Sequence, residues 1–325
     1  VIGDEESKNG TVAIRERGGG QRNGVALDEF VADIFAEITN RSTELGIVPP
    51  ERGAVMIVNV SGYRFVDLPD RDELREPMLE HCLGLGLKGT VLLSPNGINF
   101  FLAGTREATD SFLQHLESDA RFVGIPTKVS HTDYQPFRRM LVKRKQEIIA
   151  LGRKDIRPAE FTGPHISPAE FKQMLDEGED VVVLDARNDY ETRVGTFDGA
   201  VELDIPSFRD FPDAIGSLPD EYKSKTLVMY CTGGIRCEKA SAVMLKAGFE
   251  DVRQLEGGIL GYFEECGGSH WSGDCFVFDQ RIALDHQLEE SEIVMCFRCR
   301  EPLSIEEQQS KRYVIGEHCP YCVNQ

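Results

Sequence analysis

The sequence has little positive charge and no long apolar stretch. Its 36 Lys and Arg residues face 55 Asp and Glu residues, which leaves a formal net charge of −19. This balance excludes a protein that binds nucleic acid through its overall charge, so any RNA contact requires a local basic patch. No apolar run approaches the roughly 20 residues of a transmembrane helix, and the first residues lack a secretory signal pattern. We therefore expect no membrane partner and no DNA partner.

The spacing of a disulfide framework is also lacking. The nine cysteines are an odd number, two of them flank a glycine pair, and four form two Cys-x-x-Cys pairs. This distribution is typical of catalysis and metal binding in a reducing compartment. We expect the cytoplasm, with a plastid or mitochondrion as the alternative if a transit peptide has been removed.

The two Cys-x-x-Cys pairs are Cys296 with Cys299 and Cys319 with Cys322, and nineteen residues separate them. Two thiolates from each of two tight turns complete the tetrahedral coordination of Zn²⁺. Because sulfur would fill every position, the spacing predicts a closed structural zinc site without a catalytic role. The alternative is an apolar cluster of free thiols. No phosphate-binding glycine pattern indicates a flavin or nucleotide, so we expect no organic cofactor.

The length of 325 residues indicates about two or three domains. We predict a disordered tail over 1–24, a helical extension over 25–50, an α+β domain over 51–152, a linker over 153–164, a doubly wound α/β domain over 165–268 and a zinc-ribbon-like segment over 269–325. The α+β domain reads βαββαβ, which is the order of a ferredoxin-like or acylphosphatase-like sandwich. Its predicted strands are Ala54–Val66, Lys88–Leu93, Ile98–Leu102 and Thr127–Ser130, and its predicted helices are Asp70–Leu85 and Thr105–Leu116.

The predicted α/β domain contains short, continuous apolar strands of the buried parallel type. These strands are Val181–Leu184, Leu227–Tyr230 and Val252–Leu255. Before the first of these strands, Ser167 and Glu170 form a capping box for a helix over Pro168–Glu177. Strands that alternate with helices make a doubly wound sheet, which binds ligands at the carboxyl ends of its central strands.

The stretch Leu227–Cys237, LVMYCTGGIRC, reads as a strand, a tight loop and the start of a helix. Cys231 follows the strand and therefore faces loop N–H groups and a helix N-terminus, which stabilise an anion. Arg236 adds a permanent positive charge. Together they predict a nucleophilic Cys231 with a depressed pKa, the alternative being a buried, inert cysteine. The loop residues whose backbone is expected to bind the anion are Thr232, Gly233, Gly234 and Ile235.

Three further residues lie beside this loop in the predicted fold. Cys237 is a candidate resolving thiol for an oxidised or persulfide form of Cys231, or else a packed residue of the first helical turn. Asp185 and Arg187 follow the neighbouring strand. We expect them to pair and brace the loop, which is a structural role more often than a catalytic one.

Basic residues are concentrated between positions 138 and 154, where seven of them face one acid, Glu147. In so acidic a chain this segment is the best candidate for contact with a phosphate backbone. The alternative is a solvated edge strand protected by Lys and Arg. The residues that we expect to bind RNA are Arg138, Arg139, Lys143, Arg144 and Lys145.

Four motifs resemble a rhodanese domain: LDARNDYE at 184–191, GTFDGA at 195–200, YCTGGIRCEKAS at 230–241 and LEGGI at 255–259. Three further stretches, together with the terminal cysteine pairs, resemble the rhodanese-type tRNA uridine hydroxylases. They are GLKGTVLLSPNGIN at 86–99, PFRRMLVKRKQEIIALG at 136–152 and WSGDCFVFDQRIAL at 271–284. The resemblance covers residues 51–325 and implies a rhodanese fold for the α/β domain. It also implies C5 hydroxylation of uridine-34 in the tRNA anticodon loop with molecular oxygen as co-substrate, and it places Cys231 where rhodaneses carry a persulfide.

Other functions and mechanisms fit the same residues. One is a sulfurtransferase that passes sulfane sulfur to a small molecule or a protein, and another is an inactive interaction module, which the intact Cys231 and Arg236 oppose. For hydroxylation, addition of the thiol to C6 of uracil would make C5 nucleophilic. His131, Asp133 and a third ligand such as His165 have the composition of an iron facial triad, although such spacing is common by chance.

Overall fold

The computed structural model describes residues 11–15, 21–26 and 56–324 of a chain that forms two compact units, Val1–Ala54 and Val55–Gln325. In the first unit, β1 (Thr11–Arg15) and β2 (Gln21–Ala26) pair as antiparallel strands. These strands differ from the disordered tail predicted over 1–24. β-Branched residues in TVAIR favour extended backbone, and the nearby second strand supplies local main-chain partners. The helical extension predicted over 25–50 lies outside the described residues, except for the last two residues of β2.

A five-stranded sheet opens the second unit. Its strands are β3 (Ile57–Phe65), β4 (Lys88–Ser94), β5 (Gly97–Gly104), β6 (Thr127–Thr132) and β7 (Met140–Arg144). They lie in the order β6-β3-β5-β4-β7, with β7 parallel to β4 and the other pairs antiparallel. Two helices, α1 (Arg71–Gly84) and α2 (Arg106–Glu117), share one apolar core with the sheet. The predicted acylphosphatase-like fold is confirmed, and β7 extends it by an edge strand.

A parallel sheet forms the centre of the second unit. Its strands are β8 (His165–Ile166), β9 (Val181–Asp185), β11 (Val201–Glu202), β12 (Thr226–Tyr230) and β13 (Asp251–Leu255). They lie in the order β11-β9-β12-β13-β8. The strand β10 (Gly195–Phe197) instead pairs with β14 (Trp271–Gly273) in a separate two-stranded sheet. The helices around it are α3 (Pro168–Asp176), α4 (Asp189–Thr192), α5 (Phe211–Ala214), α6 (Ile235–Lys246) and α7 (Gly258–Cys266). The capping box of α3 forms as predicted.

Both faces of this parallel sheet are buried. Along β12, Leu227 and Met229 join the core that contains α6, whereas Val228 and Tyr230 join the core that contains α3 and α7. Alternate side chains of a strand point to opposite faces, so a continuous apolar strand requires cover on each side. The predicted doubly wound sheet is confirmed, and β12, which leads to Cys231, is its central strand.

The stretch 145–164 between the two sheets contains no helix or strand. It is nevertheless packed, because Leu151 and Ile156 are buried in the core beside α6. Lys239 of α6 donates hydrogen bonds to a carboxylate oxygen of Glu147 at 2.6 Å and to the carbonyl oxygen of Ile149 at 3.0 Å. This stretch therefore binds the helix that follows the Cys231 loop.

The chain ends in small two-stranded sheets. They consist of β15 (Cys275–Phe276) with β16 (Ala283–Leu284) and of β17 (Val294–Met295) with β18 (Pro302–Leu303), followed by α8 (Ile305–Gln308). Within the described residues, none of the helices has the length and apolar character needed to cross a membrane.

Candidate active site

Cys231 lies directly after β12 and is 1% exposed. The loop then turns at Gly234, whose φ of 94° is left-handed, and α6 begins at Ile235. The N–H of Gly234 points back at Cys231 Sγ, at a distance of 3.2 Å. On the other side, the first turn of α7 donates to the loop carbonyls, with Ile259 N 3.0 Å from the oxygen of Cys231. The sulfur is thus held in a loop that two helix N-termini fix.

This surrounding favours the thiolate. Burial by itself raises the pKa of the Cys231 thiol, but contacts from the Cys237 thiol, the Arg236 charge and the N–H groups of Arg236 and Cys237 outweigh it and lower the pKa from 9.0 to about 5. The direction is the one that the loop sequence predicts. At neutral pH Cys231 is therefore an anion and is ready to act as a nucleophile.

One of the four loop residues expected to bind an anion through the backbone, Gly234, donates its N–H to the Cys231 sulfur. The backbone N–H groups of Arg236 and Cys237 also lower the pKa of Cys231. Thr232 instead uses its side chain, which accepts a hydrogen bond from Arg236 Nη2 at 3.2 Å. Gly233 and Ile235 shape the turn and begin α6.

Arg236 pairs with a buried carboxylate beside the Cys231 loop. Its guanidinium forms a bidentate ion pair with Glu191, with distances of 2.5 and 2.7 Å, and both side chains are buried. Glu191 was not expected at the site from the sequence. Its position at the end of the motif LDARNDYE could have indicated a place near the site. A carboxylate that is buried there needs a charged partner. Glu191 orients Arg236 and offsets part of its charge.

Cys237 lies in the first turn of α6 and is fully buried. Burial, followed by the neighbouring Cys231 sulfur, raises the pKa of the Cys237 thiol well above 9.0. Cys237 therefore stays protonated while Cys231 is ionised. The role of Cys237 as a resolving thiol stays a prediction.

Asp185 and Arg187 form a buried ion pair at the end of β9, with Arg187 Nε 2.9 Å and Nη2 2.5 Å from the carboxylate oxygens. Arg187 also donates to the carbonyl oxygens of Glu191 and Gly195, at 3.3 and 2.6 Å. The guanidinium thus joins β9, α4 and β10. This geometry braces the segment that carries Glu191.

Two aromatic residues from outside the parallel sheet also reach the Cys231 loop, and sequence reasoning missed both. Tyr63 of β3 donates to a carboxylate oxygen of Glu238 in α6 at 3.4 Å, and its hydroxyl lies so close that a Cβ at Gly234 would be 3.0 Å from it. Phe278 follows β15, and its ring centroid is 5.8 Å from the Arg236 guanidinium carbon. No local sequence pattern connects either residue to the loop.

The four terminal cysteines form one cluster in which all the sulfur atoms lie within 4.8 Å of one another. Individual Sγ–Sγ distances are 3.9 Å for Cys296–Cys322, 3.5 Å for Cys299–Cys319 and 3.8 Å for Cys319–Cys322. Tetrahedral Zn²⁺ with Zn–S bonds of ~2.3 Å places its sulfurs about 3.8 Å apart, so this donor set fits zinc.

The iron triad considered from the sequence does not assemble. Across residues 56–324, the cysteine cluster is the one group of three or more candidate ligands close enough to share a metal ion. His131 instead contacts Arg106 at 3.4 Å, and His165 contacts Glu238 at 3.4 Å. The two histidines are occupied by different partners on different strands.

The basic segment forms the edge strand β7 and its flanks. Met140 and Val142 point into the core, which leaves the charged side chains outside. Arg144 forms an ion pair with Asp72 of α1 at 3.1 Å. The exposed residues are Arg138, Arg139, Lys143, Arg144 and Lys145.

A buried cysteine with a lowered pKa at the carboxyl end of the central strand of a parallel sheet, in a loop with a buried arginine, is the arrangement of a rhodanese-like domain. Family profiles agree: one described as a rhodanese-like domain matches residues 167–265, and one described as a UPF0176 acylphosphatase-like domain matches residues 57–148.

Full-length relatives match both domains together. The tRNA uridine(34) hydroxylase of Cupriavidus taiwanensis is 53% identical over 274 residues, which cover 83% of this chain and 97% of that protein. Its counterpart in Cupriavidus metallidurans is 52% identical over 275 residues, with 83% and 98% covered. That of Ralstonia nicotianae is 50% identical over 275 residues, again with 83% and 98% covered. The chain belongs to the tRNA uridine(34) hydroxylase family, and the resemblance found in the sequence is confirmed.

Proposed function

We propose that this protein hydroxylates C5 of uridine-34 in tRNA anticodons and that Cys231 is its reacting group. The proposal rests on the pKa of Cys231, which is about 5, in a chain that is 53% identical to a tRNA uridine(34) hydroxylase. A thiolate in contact with three backbone N–H groups is suited to repeated attack on an electrophilic ring carbon.

In the proposed reaction the Cys231 thiolate adds to C6 of the uracil ring. The S–C6 bond forms as the C5–C6 double bond opens, and the electron pair moves through C5 toward O4. C5 becomes nucleophilic and bonds to one atom of O₂, which gives a C5 hydroperoxide after protonation. Loss of the C5 proton and departure of the thiolate then restore the double bond, and the N–H groups around Cys231 stabilise the leaving anion.

Molecular oxygen is the proposed co-substrate. One oxygen atom enters the uridine and the other leaves as water, which requires two electrons and two protons. The freed Cys231 thiolate then attacks the outer oxygen of the hydroperoxide and the O–O bond breaks, which leaves a sulfenic acid on Cys231 and a 5-oxy anion that takes a proton from solvent. Cys237 displaces the sulfenic hydroxyl as water and closes a disulfide, so the two sulfurs supply the two electrons, and an external dithiol then reduces the disulfide. The mutual effect of the two thiols, which lowers the pKa of Cys231 and raises that of Cys237, supports this role.

The basic segment is the proposed contact for the anticodon stem. Its exposed side chains lie along one edge of the first sheet, and exposed Lys and Arg residues bind phosphates without regard to sequence. The residues proposed for this role are Arg138, Arg139, Lys143, Arg144 and Lys145.

The four-cysteine cluster is proposed to bind one structural Zn²⁺, since its sulfur spacing fits tetrahedral coordination. The metal would fold the C-terminal segment and take no part in the reaction. The proposed domain boundaries are 51–152, 165–268 and 269–325, with 153–164 as the connection.

A sulfurtransferase is the second candidate function. The match of residues 167–265 to a rhodanese-like domain and the low pKa of Cys231 both suit a persulfide carrier. The acceptor would be a small molecule or a protein. This function requires the same Cys231 but not the basic segment.

Nucleoside mass spectrometry distinguishes the two functions. The full chain is expressed in a host that lacks its own uridine-34 hydroxylases, and tRNA hydrolysates are compared with and without it. We expect 5-hydroxyuridine that depends on air and disappears in Cys231→Ser. Absence of the product, with rapid sulfur transfer from thiosulfate to cyanide, would favour the sulfurtransferase. Hydroxylation that survives in Cys231→Ser would refute the assigned site.

A further inference from the structure

An exposed phenyl ring lies at the Cys231 loop and has no role in the core. Phe278 is 53% exposed, although its neighbours Phe276 and Val277 are only 4% and 5% exposed. The segment that carries it follows the parallel-sheet domain and returns over the loop. A large apolar side chain left open beside a reactive group is a candidate contact for a ligand.

The position of this ring is fixed before any ligand binds. Phe278 packs edge-to-face on Phe276, with centroids 5.2 Å apart, and Phe276 packs in the same way on Tyr190 at 5.3 Å. The carbonyl oxygen of Phe276 accepts a hydrogen bond from Thr232 Oγ1 at 3.4 Å. The aromatic segment is therefore attached to the loop that holds Cys231.

The ring lies beside the arginine of the Cys231 loop. The guanidinium carbon of Arg236 is 5.8 Å from the Phe278 centroid, and the same guanidinium donates a hydrogen bond at 3.2 Å to Oγ1 of Thr232, the residue directly after Cys231. Arg236 is oriented by its buried pair with Glu191. A flat ligand on the open part of the phenyl ring would thus lie near the thiolate.

We propose that Phe278 is the stacking platform for the pyrimidine base that reacts with Cys231. The proposal rests on the proposed function and adds the contact that selects a base over the rest of the nucleotide. An enzyme that reacts at a ring carbon must take the base out of its stack, and an aromatic side chain replaces the lost stacking. Such a contact contributes about 1–3 kcal/mol per base.

Binding of a short RNA tests the platform directly. The probe is an anticodon stem-loop with uridine at position 34, compared with the same RNA carrying an abasic site there. For the unaltered protein we expect binding of the uridine form to be stronger by about 5- to 150-fold, which is the stacking contribution converted to an affinity ratio. In Phe278→Leu the ratio should approach one, because leucine keeps apolar volume but has no π face. Phe278→Trp should retain it.

Phe297 provides a matched control. It is 67% exposed and its ring is 5.5 Å from the guanidinium carbon of Arg300, but it belongs to the cysteine-cluster segment. Phe297→Leu should leave the affinity ratio unchanged. The pH midpoint of Cys231 ionisation should be the same in all these variants, which separates loss of stacking from damage to the loop.

The outcomes separate this inference from the proposed function. If the unaltered protein forms 5-hydroxyuridine but binds both RNAs equally, or if Phe278→Leu keeps the ratio, the platform is refuted and hydroxylation stands. If the ratio depends on Phe278 but no 5-hydroxyuridine forms, the proposed reaction is refuted and the base contact stands. Failure of the unaltered protein to bind either RNA refutes the platform as well.

Discussion

Replacing the buried pair of Arg236 and Glu191 should raise the pKa of Cys231. The informative variant is the double substitution Arg236→Met with Glu191→Leu. Removing one partner would leave the other charge buried and unpaired, which costs about 3–5 kcal/mol, whereas an apolar pair of similar volume is often tolerated. The double variant therefore tests the electrostatic role in a folded protein.

The size of the effect follows from the contacts. The charge and the backbone N–H of Arg236 are among the main causes that lower the pKa of Cys231, whereas Glu191 is not. A unit charge ~4 Å away at an effective dielectric constant of ~20 contributes about 4 kcal/mol, and each 1.36 kcal/mol corresponds to about one pKa unit. Glu191 offsets part of this, so we expect the pKa to rise from about 5 by at least ~1 unit toward 9.0.

The assay is the thiolate absorbance near 240 nm followed against pH, as the difference between each protein and the same protein with Cys231→Ser. This difference isolates Cys231 from the other cysteines. The single variant Glu191→Gln should not raise the pKa of Cys231, because it leaves the Arg236 charge without its counterion. The midpoint of Cys231 ionisation in this variant should stay at or below about 5.

A midpoint that remains near 5 in the double variant would refute the role of Arg236. The backbone N–H groups and Cys237 would then be sufficient to hold the thiolate. The linked stability has a definite sign: because folding lowers the pKa of Cys231, the stabilisation is fully present above pH ~8.5 and declines as the pH falls toward 5.

Three more outcomes are expected. Cys237→Ser should leave the pKa of Cys231 low, because its hydroxyl can donate to the thiolate, but should stop hydroxylation when no dithiol is added. Cys237→Ala should also stop hydroxylation and should in addition raise the pKa of Cys231. If turnover falls only in the variant in which absorbance titration shows a raised pKa, the redox role of Cys237 is contradicted. Charge reversal of Arg138, Arg139 and Lys143 should weaken binding of the stem-loop by about 10³-fold or more at low salt, without changing sulfur transfer. Metal analysis should find one zinc per chain, and chelation or Cys319→Ser should lower the melting temperature with the Cys231 midpoint unchanged.

Features that depend on neighbours in sequence were accessible without the structure. The strand, glycine turn and helix around Cys231 occupy eleven consecutive residues, Leu227–Cys237, and each step follows from local backbone preferences. The same holds for the Cys-x-x-Cys turns, in which the spacing itself brings two sulfurs together. The pairing of β1 with β2, most of which lies in the tail predicted over 1–24, had no signal in the sequence pattern.

Contacts between distant residues were decided by the tertiary structure. Glu191 is 45 residues from Arg236, and Tyr63 is 175 residues from Glu238. No pattern in the sequence identifies such partners, because the two ends of each contact lie on different elements. The sequence by itself determined that Cys231 would lie between a strand and a helix in a rhodanese-like loop. Only the tertiary structure decided which distant residues meet that loop, with Glu191 from the same domain, Tyr63 from the acylphosphatase-like domain and Phe278 from the C-terminal segment, because charge pairing and burial arise between chain segments that meet only after folding.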